Sequence, residues 1–216
     1  MTKPLAPQVS DAPLVIIGGG GHTRVLIDVL KSLHAHIEGI VTEDVRLVGE
    51  TIMGVKVIAT EAQFAFDPKN VLLVNGVGNI AKRGDSGLQV REALATRYHA
   101  RGFRFPPIFS NQALLSSELH VAEGVQILRG AVVQAGVSLA AHAIVNSSAV
   151  VEHDSKIGAY THLAPAAVLC GSVRIGQRVH VGANATIIQS TIIGDDAVIG
   201  AGCTVRHTIT ANETFL

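Results

Sequence analysis

The chain has 216 residues, 48% hydrophobic and 16% charged, a globular rather than a disordered composition with room for one large or two small domains. Lysine plus arginine equals aspartate plus glutamate at 17 each, so no basic excess points to nucleic acid or to an anionic membrane surface. Cys170 and Cys203 form neither a disulfide framework nor a CxxC motif, and no apolar run approaches the ~18 residues of a transmembrane helix.

Residues 1–12 are polar and proline-rich, with no apolar stretch after Lys3, and read as a flexible leader rather than a signal peptide. A soluble, reduced, cytoplasmic setting is expected. Residues 13–108 read as a small α/β unit. "PLVIIGGGGH" is an apolar strand that runs into four glycines, Gly18 to Gly21, and then His22. Val25, Leu26, Val29, Leu30 and Leu33 follow at the spacing of one helical face. "HIEGIVTED" is a second strand with Glu43 and Asp44 at its end. "NVLLVNGVG" is a third, entering a turn with Gly76 and Gly78, and a helix with Val90, Leu94 and Tyr98 on one side comes next. This order predicts a parallel, Rossmann-like sheet. Glycines between strand and helix let a phosphate approach backbone N–H groups at a positive helix N-terminus. The GGGGH turn is nonetheless not a full dinucleotide fingerprint. Pro106-Pro107 marks the boundary to the second half.

Residues 109–210 are a repeat, with 211–216 read as a tail. From Leu115 to Val205, every sixth residue is Leu, Ile or Val, sixteen positions in all. The position four residues further on is small or β-branched, from Val125 to Cys203. A period of six fits neither an α-helix nor an ordinary strand. It fits a short strand and a tight corner stacked into a parallel β-helix, with the aliphatic column inside. Gly158, Gly176, Gly182, Gly194 and Gly200 follow that column, and glycine, asparagine and histidine are expected where corners need left-handed backbone.

The second half also carries histidines. His153 is followed by Asp154, and His162 and His180 share a place in the hexad eighteen residues apart. Three hexads to a coil would stack those two. His34, His36, His99, His120 and His142 show no constellation and are expected to face solvent. Cys170 has no flanking histidine or cation and reads as packing rather than a nucleophile.

Taken together, GxxGH after the first strand, acids after the second, and a C-terminal hexapeptide repeat containing H-[ED] resemble the NeuD/PglD-type sugar acetyltransferases. "NGVGN" with Arg83 is also similar to their G-x-x-x-x-R stretch. The resemblance runs from about Leu14 to the end of the repeat, whereas the family's tail with a G-x-P-A stretch has no counterpart before the final "ANETFL", and coenzyme contacts from such a tail are not expected. It implies a left-handed β-helix, a homotrimer with the site between adjacent β-helices, and acetyl-CoA as cosubstrate with no metal required. It implies His153 as general base with Asp154 beside it, and His162 near the thioester. Gly171, Ala183 and Ala201 fall where the family's coenzyme contacts lie. Gly20, Gly21, His22, Glu43, Asp44, Gly78 and Arg83 fall where it holds a nucleotide-sugar. The implied reaction is N-acetylation of a UDP-linked 4-amino-4,6-dideoxy sugar for bacterial glycan or glycoprotein synthesis. The residue types suit it, since a near-neutral histidine can take the amine's proton while a carboxylate fixes its tautomer. Three other classes stay open: O-acetylation of a sialic acid or related sugar, a metal-dependent carbonic-anhydrase-like enzyme using histidines, and a β-helix scaffold without catalysis.

Overall fold

The computed structural model describes residues 12–78 and 87–216. The first half is a five-stranded sheet in the order β3-β4-β2-β1-β5. Its strands are β1 (Leu14–Ile17), β2 (Ile37–Thr42), β3 (Thr51–Ile52), β4 (Val55–Thr60) and β5 (Leu72–Asn75). β4, β2, β1 and β5 run parallel, and β3 closes one edge antiparallel to β4. No sequence pattern marks the β3–β4 hairpin.

β1 is buried along its whole length, so its residues face two cores in alternation. Leu14 and Ile16 pack with Leu26, Val29 and Leu30 of α1 (Gly21–Ser32). Val15 and Ile17 pack with Leu94 and Tyr98 of α2 (Val90–His99). The two helices therefore lie on opposite sides of the sheet. Val25, expected on the buried face of α1, is 37% exposed, and Ile27 is buried in its place.

From Ile108 onward the chain is a parallel β-helix of two-residue strands. Three sheets form its sides. Face 1 runs from Ile108–Phe109 to Thr214–Phe215, face 2 from Leu114–Leu115 to Thr204–Val205, and face 3 from His120–Val121 to Ile192–Ile193. Strands pair with the strand eighteen residues on, as His162 does with His180. The stack extends through Thr214–Phe215, which pairs with Val198–Ile199 inside the segment read as a tail. The aliphatic column fills the prism, with Val133, Val145, Val151, Leu163 and Ile187 each at most 1% exposed. Polar members of the second column are satisfied between coils. Ser155 Oγ donates to Cys170 O and accepts from Val173 N, and Thr161 Oγ1 donates to Gly176 O and accepts from Val179 N.

The corners meet one expectation in part, since glycine, histidine and asparagine do take left-handed backbone, at Gly124, His142 and Asn184 among others. Left-handed backbone recurs every six residues at Gly124, Gly130, Gly136, His142, Ser148, Asp154, Tyr160 and onward. His153 is not among these residues; its neighbour Asp154 takes the left-handed turn, with φ 62°. Nor do Gly158, Gly176, Gly182, Gly194 and Gly200 have positive φ. Their constraint is contact between coils: a Cβ on Gly182 would stand 2.5 Å from Ala201 N, and one on Gly158 would enter the Gly176 backbone.

Candidate active site

The sheet's parallel strands end at a cleft of about 810 Å³. Gly18, Gly19 and Gly20 form one wall, Thr42, Glu43 and Asp44 another, and Val90, Ala93, Leu94 and Arg97 of α2 a third. α1 begins at Gly21 with no side-chain cap and no acid in its first turn, leaving its N–H groups and positive end uncommitted to a side chain. Thus Gly20, Glu43 and Asp44 line the cleft, with Gly21 and His22 directly behind Gly20. A Cβ on Gly78 would stand 3.3 Å from His22 Cβ, so this glycine borders the same turn. Arg83 lies outside the described residues. Asp44 is held by Arg46 at 2.7 and 2.8 Å, which takes its carboxyl down to about 2. Glu61 and Arg97, paired at 2.8 Å, also line the cleft; no sequence motif marked them. Burial raises the Glu61 carboxyl, with Arg97 opposing.

Two residues on from Gly20, His22 meets the β-helix. Its Nε2 donates to Gln126 Oε1 at 2.7 Å, and Gln126 Nε2 donates to Asn75 O at 2.8 Å. The His162 ring lies 6.3 Å from that of His22, and His180 follows 5.4 Å from His162. Asn146 Nδ2 donates to His162 Nε2 at 2.9 Å, while Asn146 Oδ1 accepts from Ser147 N, which fixes the amide's orientation. His162 therefore carries its proton on Nδ1, a buried N–H with no partner among the described residues. Burial lowers His22 to about 4 and takes His162 well below its ordinary value, with the Arg91 charge adding to both. These are neutral rings at pH 7. The stacking expected for His162 and His180 is present, and Gln126, Asn146 and Arg91 are partners that the hexad pattern does not mark: Gln126 and Asn146 fall in columns that mix polar and apolar residues, and Arg91 belongs to α2.

His153 lies elsewhere. It stands on the edge between faces 2 and 3, with its side chain 62% exposed, and its Nδ1 is 2.8 Å from Asp154 Oδ2. A Cβ on Gly171, one coil on, would come within 2.6 Å of His153 Nε2, so the bare glycine is what lets the ring lie across that coil. The α/β unit packs on face 1, where Leu128 and Ile144 join the core under α1, and on its flanking edges. The edge that carries His153 is thus the one edge of the prism away from the same chain's cleft. Ala183 and Ala201 sit eighteen residues apart on the edge between faces 1 and 2, not beside His153.

His142 corrects a second expectation. It is 1% exposed, stacked on Tyr160 at 5.0 Å, with its Nε2 3.2 Å from His99 Nε2, and burial takes it down to about 4. His34, His36 and His120 are exposed as read. Among the described residues, no group of three or more His, Cys, Asp or Glu is arranged to hold a metal ion, and no helix is long and apolar enough to cross a membrane.

The hexapeptide repeat of succinyl-transferase matches residues 172–206. The chain is similar to the acetyltransferase domain of PglB from Neisseria gonorrhoeae FA1090, solved with acetyl coenzyme A: 30% identity, TM-score 0.85, over 95% of this chain and 96% of that one. It is also similar to a variant of perosamine N-acetyltransferase from Caulobacter crescentus, solved with CoA and GDP-perosamine: 27% identity, TM-score 0.84, over 97% and 94% of the two chains. WeeI from Acinetobacter baumannii AYE, at 20% identity and TM-score 0.80 over 93% and 94%, shares the fold. No curated protein sequence matches the chain.

Proposed function

Because the chain belongs to the sugar acetyltransferases of the hexapeptide-repeat, left-handed β-helix family, we propose that it transfers the acetyl group of acetyl-CoA to the amino group of a nucleotide-linked 4-amino-4,6-dideoxy sugar. The product would feed bacterial glycan or glycoprotein synthesis. Residues 13–108 hold the nucleotide in this reading, and the β-helix from 109 to 210 holds the coenzyme. The observation that carries it is the pairing of a glycine-walled cleft at the parallel strand ends with neutral His22, two residues on from the Gly20 wall, and its neighbour His162 on the β-helix. The α1 N-terminus suits the diphosphate, and Glu43 and Asp44 suit ribose hydroxyls. The neighbour from Caulobacter was solved with a GDP-linked sugar, so GDP stands beside the UDP that the sequence resemblance favours.

The acceptor nitrogen attacks the thioester carbon, and the carbonyl oxygen becomes an oxyanion. His162 Nδ1–H, buried in the single chain with no partner among the described residues, is the donor assigned to it in this reading. Collapse breaks the C–S bond and releases CoA thiolate. His153 Nε2 takes the proton lost by the nitrogen and returns it to sulfur, while Asp154 holds Nδ1. Transfer is direct, with no acetyl-enzyme.

His153 and the cleft of one chain lie on different sides of the prism, so His153 must come from a second copy. A trimer with face 2 toward its axis does this, because the two edges that bound face 2 then meet the opposite edges of neighbours. Leu114, Val132, Val150 and Val168 give face 2 an apolar outer stripe, with Leu114 68% exposed in the single chain. Gly171 beside His153 and Ala183 and Ala201 on the other edge would then face each other across the coenzyme groove.

The test is release of free CoA from acetyl-CoA with UDP-, GDP- and dTDP-linked amino sugars. Release with at least one amino sugar, and not with its hydroxyl analogue, is the expected result. Release only with hydroxyl sugars would instead assign O-acetylation, and no release with any acceptor would end the reading.

A further inference from the structure

Arg91 is wholly buried, yet no carboxylate pairs with it among the described residues. Its Nη1 donates to Tyr160 O at 3.0 Å and its Nη2 to His142 O, while Nε is buried without a partner. Residues 142 and 160 occupy the same corner of successive coils, so their carbonyls stand about one strand spacing apart, ~4.8 Å. A guanidinium presents donors in a fixed fork that can span such a pair, whereas a lysine ammonium is a single point donor.

The position of Arg91 in the helix gives this contact its consequence. The same helix, α2, lends Val90, Ala93, Leu94 and Arg97 to the cleft wall. Tyr160 stands two residues before His162. Through one side chain, therefore, the cleft wall is tied to the rung that carries His162. Glu92–Arg178 at 3.2 Å and His99–His142 at 3.2 Å support the same contact from either side. Stability does not account for Arg91, because a desolvated cation without a counter-ion is costly and an apolar side chain would fill the space more cheaply.

We propose that Arg91 is a positioning residue for acetyl transfer, its guanidinium fixing the register between the nucleotide cleft and the β-helix histidines. This rests on the acetyltransferase reading, in which substrate spans those two elements. The charge on Arg91 also bears on three neutral rings, His22, His142 and His162, and His142 has His99 as its titratable neighbour. His22 has Gln126 and His162 as its other neighbours, and His162 has Asn146, His180 and His22. Burial is the main reason that all three stay neutral, and the charge on Arg91 acts in the same direction.

Arg91→Met and Arg91→Lys separate fork from charge. Measured against wild type are Tm, kcat and KM for CoA release, and the histidine ring titrations by NMR. Arg91→Met is expected to keep its Tm within a few degrees and to lose roughly 10–100-fold in kcat, the scale of a small misplacement of reacting groups. KM for acetyl-CoA should stay within about twofold. Ring titrations of His22 and His162 should move to higher pH. Arg91→Lys should leave those titrations near wild type without recovering more than about a tenth of kcat. Wild-type kcat in Arg91→Met, a kcat loss matched by loss of folded protein, or full rescue by lysine would each overturn the proposal. If Arg91→Met does not fold, the Arg91→Lys result decides. Wild-type protein inactive on every acceptor defeats the acetyltransferase reading instead, and the titrations still report whether Arg91 acts on the histidines.

Discussion

At the scale of single residues, His153 depends on two neighbours of different kinds. Asp154 was visible in the sequence as the next residue, and it holds Nδ1 at 2.8 Å so that Nε2 is the free nitrogen. Gly171 acts by what it lacks. Replacing it with alanine puts a methyl 2.6 Å from His153 Nε2 and pushes the ring off its coil. His153→Ala should lower kcat by ~10²–10⁴-fold, the span for loss of a general base. Gly171→Ala should lower kcat by roughly tenfold or more with little change in Tm, because the ring is displaced without any loss of core. Steady-state kinetics beside thermal melts check both. Near-full activity in His153→Ala would remove it from the mechanism.

Among the elements, the β-helix corner shows how one residue type serves two constraints. Gly202 has φ +73° and open space around its Cβ direction, so its demand is conformational. Gly182 has an ordinary φ, but the next coil fills its Cβ position. Asparagine already occupies the left-handed place at Asn184 and Asn212. Gly202→Asn should therefore cost well under ~1 kcal/mol, since asparagine tolerates this backbone. Gly182→Ala should cost about 1–3 kcal/mol through overpacking between coils. Urea unfolding of the two variants gives the comparison, and equal costs would refute the distinction. α2 makes the complementary point. Its sequence shows an apolar spacing at Val90, Leu94 and Tyr98, but Val90 is 54% exposed at the cleft, and the side that docks on the β-helix carries Arg91, Glu92 and His99. Docking through polar side chains leaves no hydrophobic periodicity to read.

For the molecule as a whole, the contact between the α/β unit and the β-helix buries histidines in neutral form. His22 and His142 sit near 4 in the folded protein against an ordinary 6.5. Above about pH 6.5 both states hold these rings neutral, and stability is unaffected. Below it the unfolded chain takes up protons that the folded chain refuses, so stability falls with pH until the folded values near 4 are reached. Each of the two contributes on the order of 3 kcal/mol to that loss, and His162, shifted in the same direction, adds to it. Denaturant midpoints measured from pH 7.5 to 4.5 should decline steadily below 6.5. A flat profile would show that the rings are not held neutral by burial.

The sequence by itself determined the β-helix, because a step of six is written into sixteen aliphatic positions and each one needs only its own coil to be read. It also determined the glycine-rich turn, the acids after the second strand and the His153–Asp154 pair, all of which are local. What tertiary structure decided is which side of the prism meets which element. His22 reaches Gln126 across 104 residues and Arg91 reaches Tyr160 across 69, separations at which sequence carries no spacing signal. The same packing turns His142 from an expected surface residue into a buried one and puts His153 on the edge away from its own chain's cleft. A repeat specifies a surface of equivalent corners; only contact with the rest of the chain makes them unequal.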